Sequence, residues 1–308
     1  MKSALAIVPK GLMQSALKGW LERRCLEHDI ALRFLCAHET CASGWAEVFR
    51  SESNILAWNC RMSHEWMTQA KQNILFLDNA LISQKRGVFV DHGGLFARSN
   101  LCRDAGEEGS HWAADFYARR EFGWRAFREG DVAGPILVCL QCEADSSVTQ
   151  GFLPGRESEG RMVEFLRQVK THLPFPSHRV IIRPHPREKP ACLPPDAECE
   201  GWSWANEETF AEVLPRCRAV VTVNSTCAHE AVLAGVPVAT LGTGTFTGWG
   251  VTLECAGNPA RLGEIANWRP EPSRAEAYVC RAMTRHFLPY EIREGRINEE
   301  FNLWLKAA

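Results

Sequence analysis

The sequence predicts an α/β protein with two Rossmann-like domains that face a central cleft, and three observations support this prediction. Short apolar runs alternate with helical patterns along the whole chain, which is typical of sheets covered by helices. The 308 residues are enough for two domains with separate cores. Gly130 and the pair Gly134-Pro135 interrupt the alternation. We therefore expect an N-terminal domain over residues 1–130 and a C-terminal domain over residues 131–308.

The N-terminal domain is predicted from apolar runs of strand length that are separated by helix-like segments. The strand candidates are Ala4 to Val8, Ile30 to Leu35, Asn54 to Trp58 and Asn73 to Leu77. The helix candidates are Gly11 to Glu27, Ser63 to Lys71 and His111 to Glu129. Because strands and helices alternate, we expect a parallel sheet.

The C-terminal domain shows the same alternation, and it begins at Ile136. Its strand candidates are Ile136 to Leu140, Arg179 to Ile182, Ala219 to Val223 and Val236 to Leu241. Its helix candidates are Glu157 to His172, Asn224 to Gly235, Ser273 to His286 and Arg293 to Lys306. Parallel strands end at a common edge, and two such domains leave a cleft between their strand ends in which α/β proteins bind ligands.

The composition excludes several classes of protein. With 45% hydrophobic and 23% charged residues the chain is globular, and its net charge of −2 argues against a nucleic-acid partner. Thirteen irregularly spaced cysteines favour free thiols over a disulfide framework. No metal or cofactor site is predicted. The apolar run from Met1 to Pro9 is too short for a signal sequence or a membrane span, so we expect a cytoplasmic protein with at most peripheral contact with the inner membrane.

Two loops at predicted strand ends have the chemistry of a phosphate site. Arg183 and His185 follow a strand that must stop there, because the prolines on either side of His185 cannot continue a sheet ladder. Asn224, Ser225 and Thr226 follow another strand and begin a helix. A helix N-terminus beside strand ends binds phosphate, and Arg183 adds charge. Taken singly, Ser225 and Thr226 also fit a simple helix cap, and His185 fits a turn.

Acidic residues follow the first strand of the C-terminal domain, in residues 141–147. If that strand continued, its alternation would place Gln141, Glu143 and Asp145 on one side. A carboxylate aimed into the cleft could act as a nucleophile or stabilise an oxocarbenium ion. The alternative is a solvated loop in which Asp145 or Ser146 caps a turn.

The N-terminal domain offers polar residues for the same cleft. Asp78 and Asn79 follow the run that begins at Asn73. Further along, Gly94 permits close approach of the backbone to a ligand, and Arg98 supplies a cation that could pair with a carboxylate. A carboxylate in each domain is the arrangement expected for glycosyl transfer with retention of configuration.

Residues 178–247 together are more specific than any of their parts. They combine Arg-Pro-His-Pro with Asn-Ser-Thr-x-x-x-Glu-Ala-x-x-x-Gly-x-Pro-Val. In this combination the chain resembles the nucleotide-sugar half of the capsule polysaccharide biosynthesis proteins, in particular the retaining β-Kdo glycosyltransferases of the two-domain GT-B type. The resemblance extends over residues 74–247, and it implies C-terminal helices of which the last crosses back to the first domain.

The resemblance also implies roles for individual residues. Residues 141–147 are similar to the family motif Q-V-E-D-D-A-S, which makes Asp145 the nucleophile. Asp78-Asn79-Ala80 is similar to the family's E-N-G, whose Glu is the acid/base, with Asp in place of Glu and Ala in place of Gly. The implied donor-binding residues are Arg183, His185, Asn224, Ser225, Thr226 and Glu230, of which Glu230 contacts the ribose. The predicted substrate-binding residues are Gln141, Glu143, Ser146, Arg98, Asn79 and Gly94.

The expected function is therefore the transfer of β-Kdo from CMP-Kdo to a glycan or a lipid-linked glycan, with retention, in the synthesis of capsule or O-antigen. Two alternatives stay open. The chain could use another phosphate-activated donor, such as a phosphoribosyl donor or a CDP-polyol, because the phosphate loops do not read the sugar. It could also be a non-catalytic relative that binds glycan.

Overall fold

The structure is a computed structural model that describes residues 2–8, 16–36, 52–58, 73–79, 88–92, 99, 101, 134–153, 160–176, 179–187, 199–287 and 299–308. The chain divides into two compact units. Unit 1 comprises Met1–Asn100 and Ala282–Ala308, and unit 2 comprises Leu101–Arg281. The predicted boundary at residue 130 lies outside the described residues and stays a prediction.

The strands are numbered in chain order. They are β1 (Lys2–Val8), β2 (Ile30–Cys36), β3 (Asn54–Trp58), β4 (Asn73–Asn79), β5 (Val88–Asp91), β6 (Ile136–Cys139), β7 (Val180–Arg183), β8 (Ser203–Trp204), β9 (Ala219–Thr222), β10 (Val238–Thr240), β11 (Leu253–Glu254) and β12 (His286–Phe287). Every strand predicted from the sequence is present, with ends that differ by at most two residues. One of the two-residue differences has a clear cause: β10 begins after Pro237, because proline has no N–H for the ladder.

The α-helices are α1 (Ala16–Glu27), α2 (Ser146–Gly151), α3 (Arg161–His172), α4 (Phe210–Val213), α5 (Cys227–Leu233), α6 (Pro272–Thr284) and α7 (Glu299–Ala307). Two 3₁₀ helices span Leu214–Arg216 and Pro259–Glu264. The predicted helices Ser63 to Lys71 and His111 to Glu129 lie outside the described residues. Within the described residues, no helix is both long enough and apolar enough to cross a membrane.

Unit 1 contains a mixed sheet with the strand order β2-β1-β3-β4-β5-β12. The first four strands of this order are parallel, whereas β5 runs antiparallel to β4 and β12 antiparallel to β5. The expectation of a wholly parallel sheet is therefore wrong at β5. Residues 80–87 are the only link between β4 and β5, and a parallel pair requires a crossover of about a dozen residues or more.

The antiparallel orientation of β5 separates Asp91 from Asp78. Asp91 pairs with Phe76 in the ladder, and the next residue, His92, places its Nε2 2.8 Å from Oδ1 of Asn73, the first residue of β4. Asp91 is fully buried, and its Oδ2 accepts a hydrogen bond from Ser99 at 2.5 Å. His92 therefore lies near the start of β4, whereas Asp78 lies near the end of that strand.

The end of the chain completes the core of unit 1. Helix α7 packs on β4 and β5, and its Phe301 and Trp304 are fully buried. Trp304 Nε1 donates to the carbonyl of Asn73 at 3.0 Å, and Asn73 Nδ2 donates to the carbonyl of Trp304 at 2.9 Å. These reciprocal bonds fix the last helix to the start of β4, so the C-terminal segment returns to the first domain.

Unit 2 contains a parallel sheet with the strand order β8-β7-β6-β9-β10-β11. In order of appearance this reads 3-2-1-4-5-6, the strand order of a Rossmann domain. The order reverses between β6 and β9, and ligands of open parallel sheets bind where the strand order reverses, outside the carboxyl ends. The register aligns Cys139 with both Arg183 and Thr222 at this edge. The predicted α/β class is confirmed.

Candidate functional site

The candidate site of unit 2 is built around two buried amides at the point where the strand order reverses. Gln141 follows β6 and Asn224 follows β9, and they are 4% and 7% exposed. Gln141 Oε1 accepts from the backbone N–H of Asn224 at 2.9 Å, and its Nε2 donates to Asn224 Oδ1 at 3.1 Å. Both amides are thus occupied by protein partners, and their first role is to join the two central strands.

Asn224 also connects this pair to the neighbouring loops. Its Nδ2 donates to the carbonyls of Ser147 at 2.7 Å and Thr243 at 2.9 Å. Ser147 lies in α2, and Thr243 follows β10. The Asn224 side chain therefore connects its own loop to α2 and to the loop after β10 at the carboxyl edge of the sheet.

Asp145 is the N-cap of α2. Its Oδ1 accepts from the backbone N–H of Ser147 at 3.0 Å and from the Ser147 hydroxyl at 2.9 Å. The capping alternative considered for the sequence is therefore present in the structure. It occupies one carboxylate oxygen, and among the described residues Oδ2 receives no hydrogen bond.

Glu143 has a different environment from Asp145. Its two carboxylate oxygens accept the backbone N–H groups of Arg161 at 3.0 Å and Met162 at 2.7 Å, at the start of α3. Strand β6 ends at Cys139 and residues 143–144 form a turn. Gln141, Glu143 and Asp145 therefore do not share one face of a strand, because the strand does not continue that far.

Glycines allow the loops around Asn224 to approach each other. A Cβ built on Gly151 would lie 2.4 Å from Asn224 Nδ2 and 2.5 Å from the carbonyl oxygen of Thr243. A Cβ on Gly242 would lie 2.8 Å from the carbonyl oxygen of Gly151. Distances this short are incompatible with any side chain, so the position of the amide depends on these two glycines.

We expect Gly151→Ala to destabilise the protein by about 1–3 kcal/mol, the usual cost of forcing an extra methyl group into a packed site. The added Cβ would push Asn224 and the Thr243 carbonyl apart and weaken their hydrogen bond. Gly263→Ala is the matched control, since a Cβ there has no atom within 4 Å. Urea unfolding of both variants measures the difference. Equal midpoints for the two variants would contradict the close approach.

Arg183 is the last residue of β7 and lies at the same edge of the sheet. Its Nε is buried and has no hydrogen-bond partner among the described residues. Its Cζ lies 6.0 Å from the centre of the Phe210 ring. Burial raises the pKa of the Glu230 carboxyl in α5, and the positive charge of Arg183 partly opposes this rise. The two side chains are therefore close enough to interact, and the Nε–H of Arg183 has no acceptor among the described residues.

The start of α5 lies beside this pair. Ser225 Oγ accepts from the backbone N–H of Cys227 at 3.3 Å, so Ser225 supplies the side-chain cap. Thr226 occupies the N-cap position in a helical conformation and makes no side-chain cap bond. Both residues are half-buried. The predicted helix start is therefore present, with Ser225 as the residue that caps it.

His185 has a defined tautomer. The backbone N–H of Arg187 donates to its Nδ1 at 3.2 Å, and Cys142 Sγ lies 3.1 Å from the same nitrogen. A backbone N–H can only donate, so Nδ1 is the acceptor and the neutral ring carries its proton on Nε2. His185 therefore has an N–H donor at Nε2.

The cysteines near the site were predicted to be free thiols, without a role in the site. Cys139 and Cys142 have C-x-x-C spacing, but their sulfurs have different neighbours. A hydrogen bond with Cys227, together with burial, raises the pKa of the Cys139 thiol, whereas Cys142 contacts His185. The cysteines whose side chains are described are all free thiols. Their spacing was the available signal, and only the fold assigns each sulfur its partner.

The remaining predicted residues are placed less completely. Asp78 is the penultimate residue of β4 and is half-buried. The backbone of Asn79 ends the same strand, and the backbone of Ser146 begins α2, while neither side chain is described. Gly94 and Arg98 lie outside the described residues. Within the described part of the chain, no group of three or more His, Cys, Asp or Glu side chains could hold a metal ion.

A family model described as "Capsule polysaccharide biosynthesis protein" matches residues 203–291. The matched segment includes β9, the Asn224 loop and α5. It confirms the resemblance that was predicted from the sequence. No curated protein matches the chain.

Two solved structures have a similar fold. One is the β-Kdo 2,7 transferase of KpsC from Thermosulfurimonas dismutans, with 16% sequence identity, a TM-score of 0.54 and 90% of each chain covered. The other is the β-Kdo 2,4 transferase of the same protein, with 14% identity, a TM-score of 0.53 and 89% of each chain covered. At these identities the similarity establishes the fold, which agrees with the predicted pair of Rossmann-like domains.

Proposed function

We propose that this protein is a retaining glycosyltransferase that transfers β-Kdo from CMP-Kdo to a glycan or lipid-linked glycan in capsule or O-antigen synthesis. The observation that carries the proposal is Arg183, whose buried Nε has no acceptor among the described residues at the edge where such folds bind ligands. Buried polar groups are normally hydrogen-bonded, so a buried Nε–H of a charged side chain without an acceptor favours an anionic ligand. The match to a capsule family model directs the choice of anion to a nucleotide sugar.

The donor phosphate is assigned to Arg183, Ser225 and His185. Arg183 would donate charge-assisted hydrogen bonds to the phosphate. The Ser225 hydroxyl and the Nε2–H of His185 would each donate one further hydrogen bond. Glu230 is assigned to the ribose, whose hydroxyl groups can donate to a carboxylate. Its charge is balanced in part by Arg183, which limits repulsion between the carboxylate and the phosphate.

Asp145 is assigned as the nucleophile. In the first step a carboxylate oxygen attacks the anomeric carbon, the bond from that carbon to the phosphate oxygen breaks, and CMP leaves. In the second step the acceptor hydroxyl attacks the same carbon, the bond to Asp145 breaks, and a base takes the hydroxyl proton. Two inversions at one carbon give net retention.

Asp78 is assigned as the base that takes this proton, on the strength of the resemblance of Asp78-Asn79-Ala80 to the family motif. Ser146 and Asn79 stay assigned to the substrate, whereas the roles predicted for Gly94 and Arg98, which lie outside the described residues, stay predictions. Gln141 and Glu143 are not assigned to the substrate here, because their side-chain oxygens and nitrogen already make hydrogen bonds within the protein. With a nucleotide-sugar donor and a lipid-linked acceptor, we place the reaction in the cytoplasm at the inner face of the membrane.

We expect His185→Ala and Ser225→Ala each to weaken CMP binding by about 1–3 kcal/mol, because each removes a hydrogen bond to a charged phosphate. The thermal unfolding midpoint of free His185→Ala should stay close to wild type, whereas Ser225→Ala should lower stability by about 1 kcal/mol, because it removes the side-chain cap of α5. Isothermal titration calorimetry with CMP measures the affinities. Unchanged affinity in both variants would remove the phosphate site from these loops.

A ligand panel separates the proposal from its alternatives. Arg183 and Ser225 recognise phosphate and not sugar, so a phosphoribosyl donor or a CDP-polyol fits the same groups. A ligand at 100 times its Kd stabilises a protein by about 2.7 kcal/mol, so thermal shifts with CMP, CDP, UDP and phosphoribosyl pyrophosphate rank these candidates. A non-catalytic glycan-binding relative would show no donor turnover with any of them.

A further inference from the structure

The hydrogen bonds that lead to Asp145 have a fixed donor-to-acceptor direction, and the first donor is the backbone N–H of Asn224. The backbone N–H of Asn224 can only donate, so the Gln141 atom that it meets at 2.9 Å is the carbonyl oxygen Oε1. The Gln141 amide group Nε2 must then face the opposite side. The backbone N–H of Asn224 therefore determines which end of the Gln141 side-chain amide is the oxygen and which is the nitrogen.

The same logic fixes the next two groups. Asn224 Nδ2 donates to two carbonyls, so its Oδ1 is the acceptor that Gln141 Nε2 meets at 3.1 Å. Gln141 Nε2 also donates to Ser147 Oγ at 3.2 Å. Because this oxygen receives a hydrogen bond from Gln141, the Ser147 hydroxyl proton is directed to its remaining neighbour, Asp145 Oδ1, at 2.9 Å.

The result is a continuous series of hydrogen bonds from the Asn224 loop to the Asp145 carboxylate. It runs from Asn224 through Gln141 and Ser147 to Asp145, and its two middle members are 4% and 6% exposed. Asp145 Oδ1 receives two hydrogen bonds from Ser147, while Oδ2 receives none from the described residues. Hydrogen bonding lowers the electron density that an oxygen can offer to a carbon, so the two oxygens differ in nucleophilicity.

We propose that Gln141 and Ser147 are positioning residues that orient the Asp145 carboxylate and make Oδ2 the oxygen that attacks the anomeric carbon. This inference rests on the proposed function. It changes the role of Gln141 from a substrate ligand to a group that acts through Ser147. It also links the catalytic carboxylate to the Asn224 loop, so that the loop that holds the donor phosphate sets the position of the nucleophile.

If Asp145 were only a helix cap, the effects of Ser147→Ala would differ from those expected for a positioning role. A cap needs one carboxylate oxygen and one backbone N–H, and Ser147→Ala keeps both. If Asp145 only stabilised α2, Ser147→Ala would change the unfolding midpoint or nothing at all. If the hydroxyl orients the nucleophile, the same change slows the chemical step in a protein that stays folded and binds nucleotide.

The experiment compares Ser147→Ala, Ser147→Thr and the exposed control Gln150→Ala with wild type. CMP affinity is measured by calorimetry, and the rate of the first step is measured as CMP release and sugar adduct formation from CMP-Kdo without acceptor. For Ser147→Ala we expect a rate about 10–100 times lower, as for loss of one hydrogen bond to a charged group, with CMP affinity within about twofold of wild type. Ser147→Thr keeps a hydroxyl and should recover most of the rate, and Gln150→Ala should match wild type.

The outcomes separate this inference from the proposed function. If wild-type protein neither releases CMP nor forms an adduct, the proposed function is overturned, and the inference with it. If wild type reacts and Ser147→Ala reacts equally fast, only the positioning role is overturned. A loss of CMP affinity and unfolding midpoint in parallel with the rate would also overturn it, since that pattern indicates a structural role. Should Ser147→Thr fold poorly, the comparison of Ser147→Ala with Gln150→Ala decides the question alone.

Discussion

Asp145→Asn is expected to lower sugar transfer by several orders of magnitude while CMP affinity stays close to that of wild type. A double displacement requires a carboxylate that bonds to the donor sugar, and an amide oxygen is a poor nucleophile. Because the change removes an interaction made only in the transition state, it should lower kcat and kcat/KM equally. Turnover of CMP-Kdo with acceptor, measured against calorimetric CMP affinity, gives both quantities.

The structure makes asparagine a clean substitution at this position. Asn and Asp are equally preferred N-cap residues, so α2 should keep its cap. The Asn Oδ1 can still accept the N–H and the hydroxyl of Ser147. Unfolding midpoints of the variant and wild type should therefore agree, which removes misfolding as an explanation for lost activity.

A matched control and a covalent adduct complete this test. Glu207→Gln makes the same chemical change at an exposed acid of unit 2 and should leave transfer unchanged. Wild-type protein incubated with CMP-Kdo and no acceptor should gain the mass of one sugar, and peptide mapping should find it between Leu140 and Gln150. An adduct on Glu143 or Asp78, or transfer by Asp145→Asn near the wild-type rate, would show that the assignment is wrong.

Arg183→Met is expected to weaken CMP binding by about 2–5 kcal/mol, at least about thirtyfold, the range found when one partner of a buried charged pair is removed. Methionine keeps much of the apolar stem that packs near Phe210 and removes the charge. It also removes the positive charge that opposes the effect of burial on the pKa of Glu230, so this pKa should rise further. Calorimetry with CMP measures the loss.

The stability of the free Arg183→Met protein gives an independent check. A buried Nε without a hydrogen-bond partner destabilises the free protein, so its removal should leave the unfolding midpoint unchanged or raise it. Arg179→Met, at the exposed amino end of β7, is the control and should change neither property. A variant that is less stable yet binds CMP like wild type would make Arg183 a structural residue.

The fold and the location of the site could largely be predicted from the sequence. The strands of unit 2 are nearly continuous apolar runs, as expected for a sheet covered on both faces, and polar residues begin where each run stops. Because parallel strands share one carboxyl edge, Arg183 and Asn224 had to lie at the same edge although they are far apart in sequence. That inference needs only the order and direction of the strands.

The sequence did not predict the direction of β5 or the environment of Glu143. The pattern of β5 resembles that of its neighbours, but the short link from β4 makes β5 run antiparallel to β4. The strand β6 stops before Glu143, whose carboxylate instead holds the start of α3. Alternation along the chain carries no information about either event.

What the sequence by itself determined is the class of fold, the strands and the residue types collected at the carboxyl edge of unit 2, because periodicity and proline or glycine breaks are local properties. What only the tertiary structure decided is what each polar group does there. Gln141 and Asn224 meet across 83 positions of the chain, and Arg183 lacks a hydrogen-bond partner for its buried Nε in the described residues only because of how its neighbours pack. Whether a polar group has a hydrogen-bond partner depends on its neighbours in three dimensions. For this reason the sequence could not show that Asn224 joins two loops, that Asp145 caps α2, or that the Nε of Arg183 lacks an acceptor among the described residues.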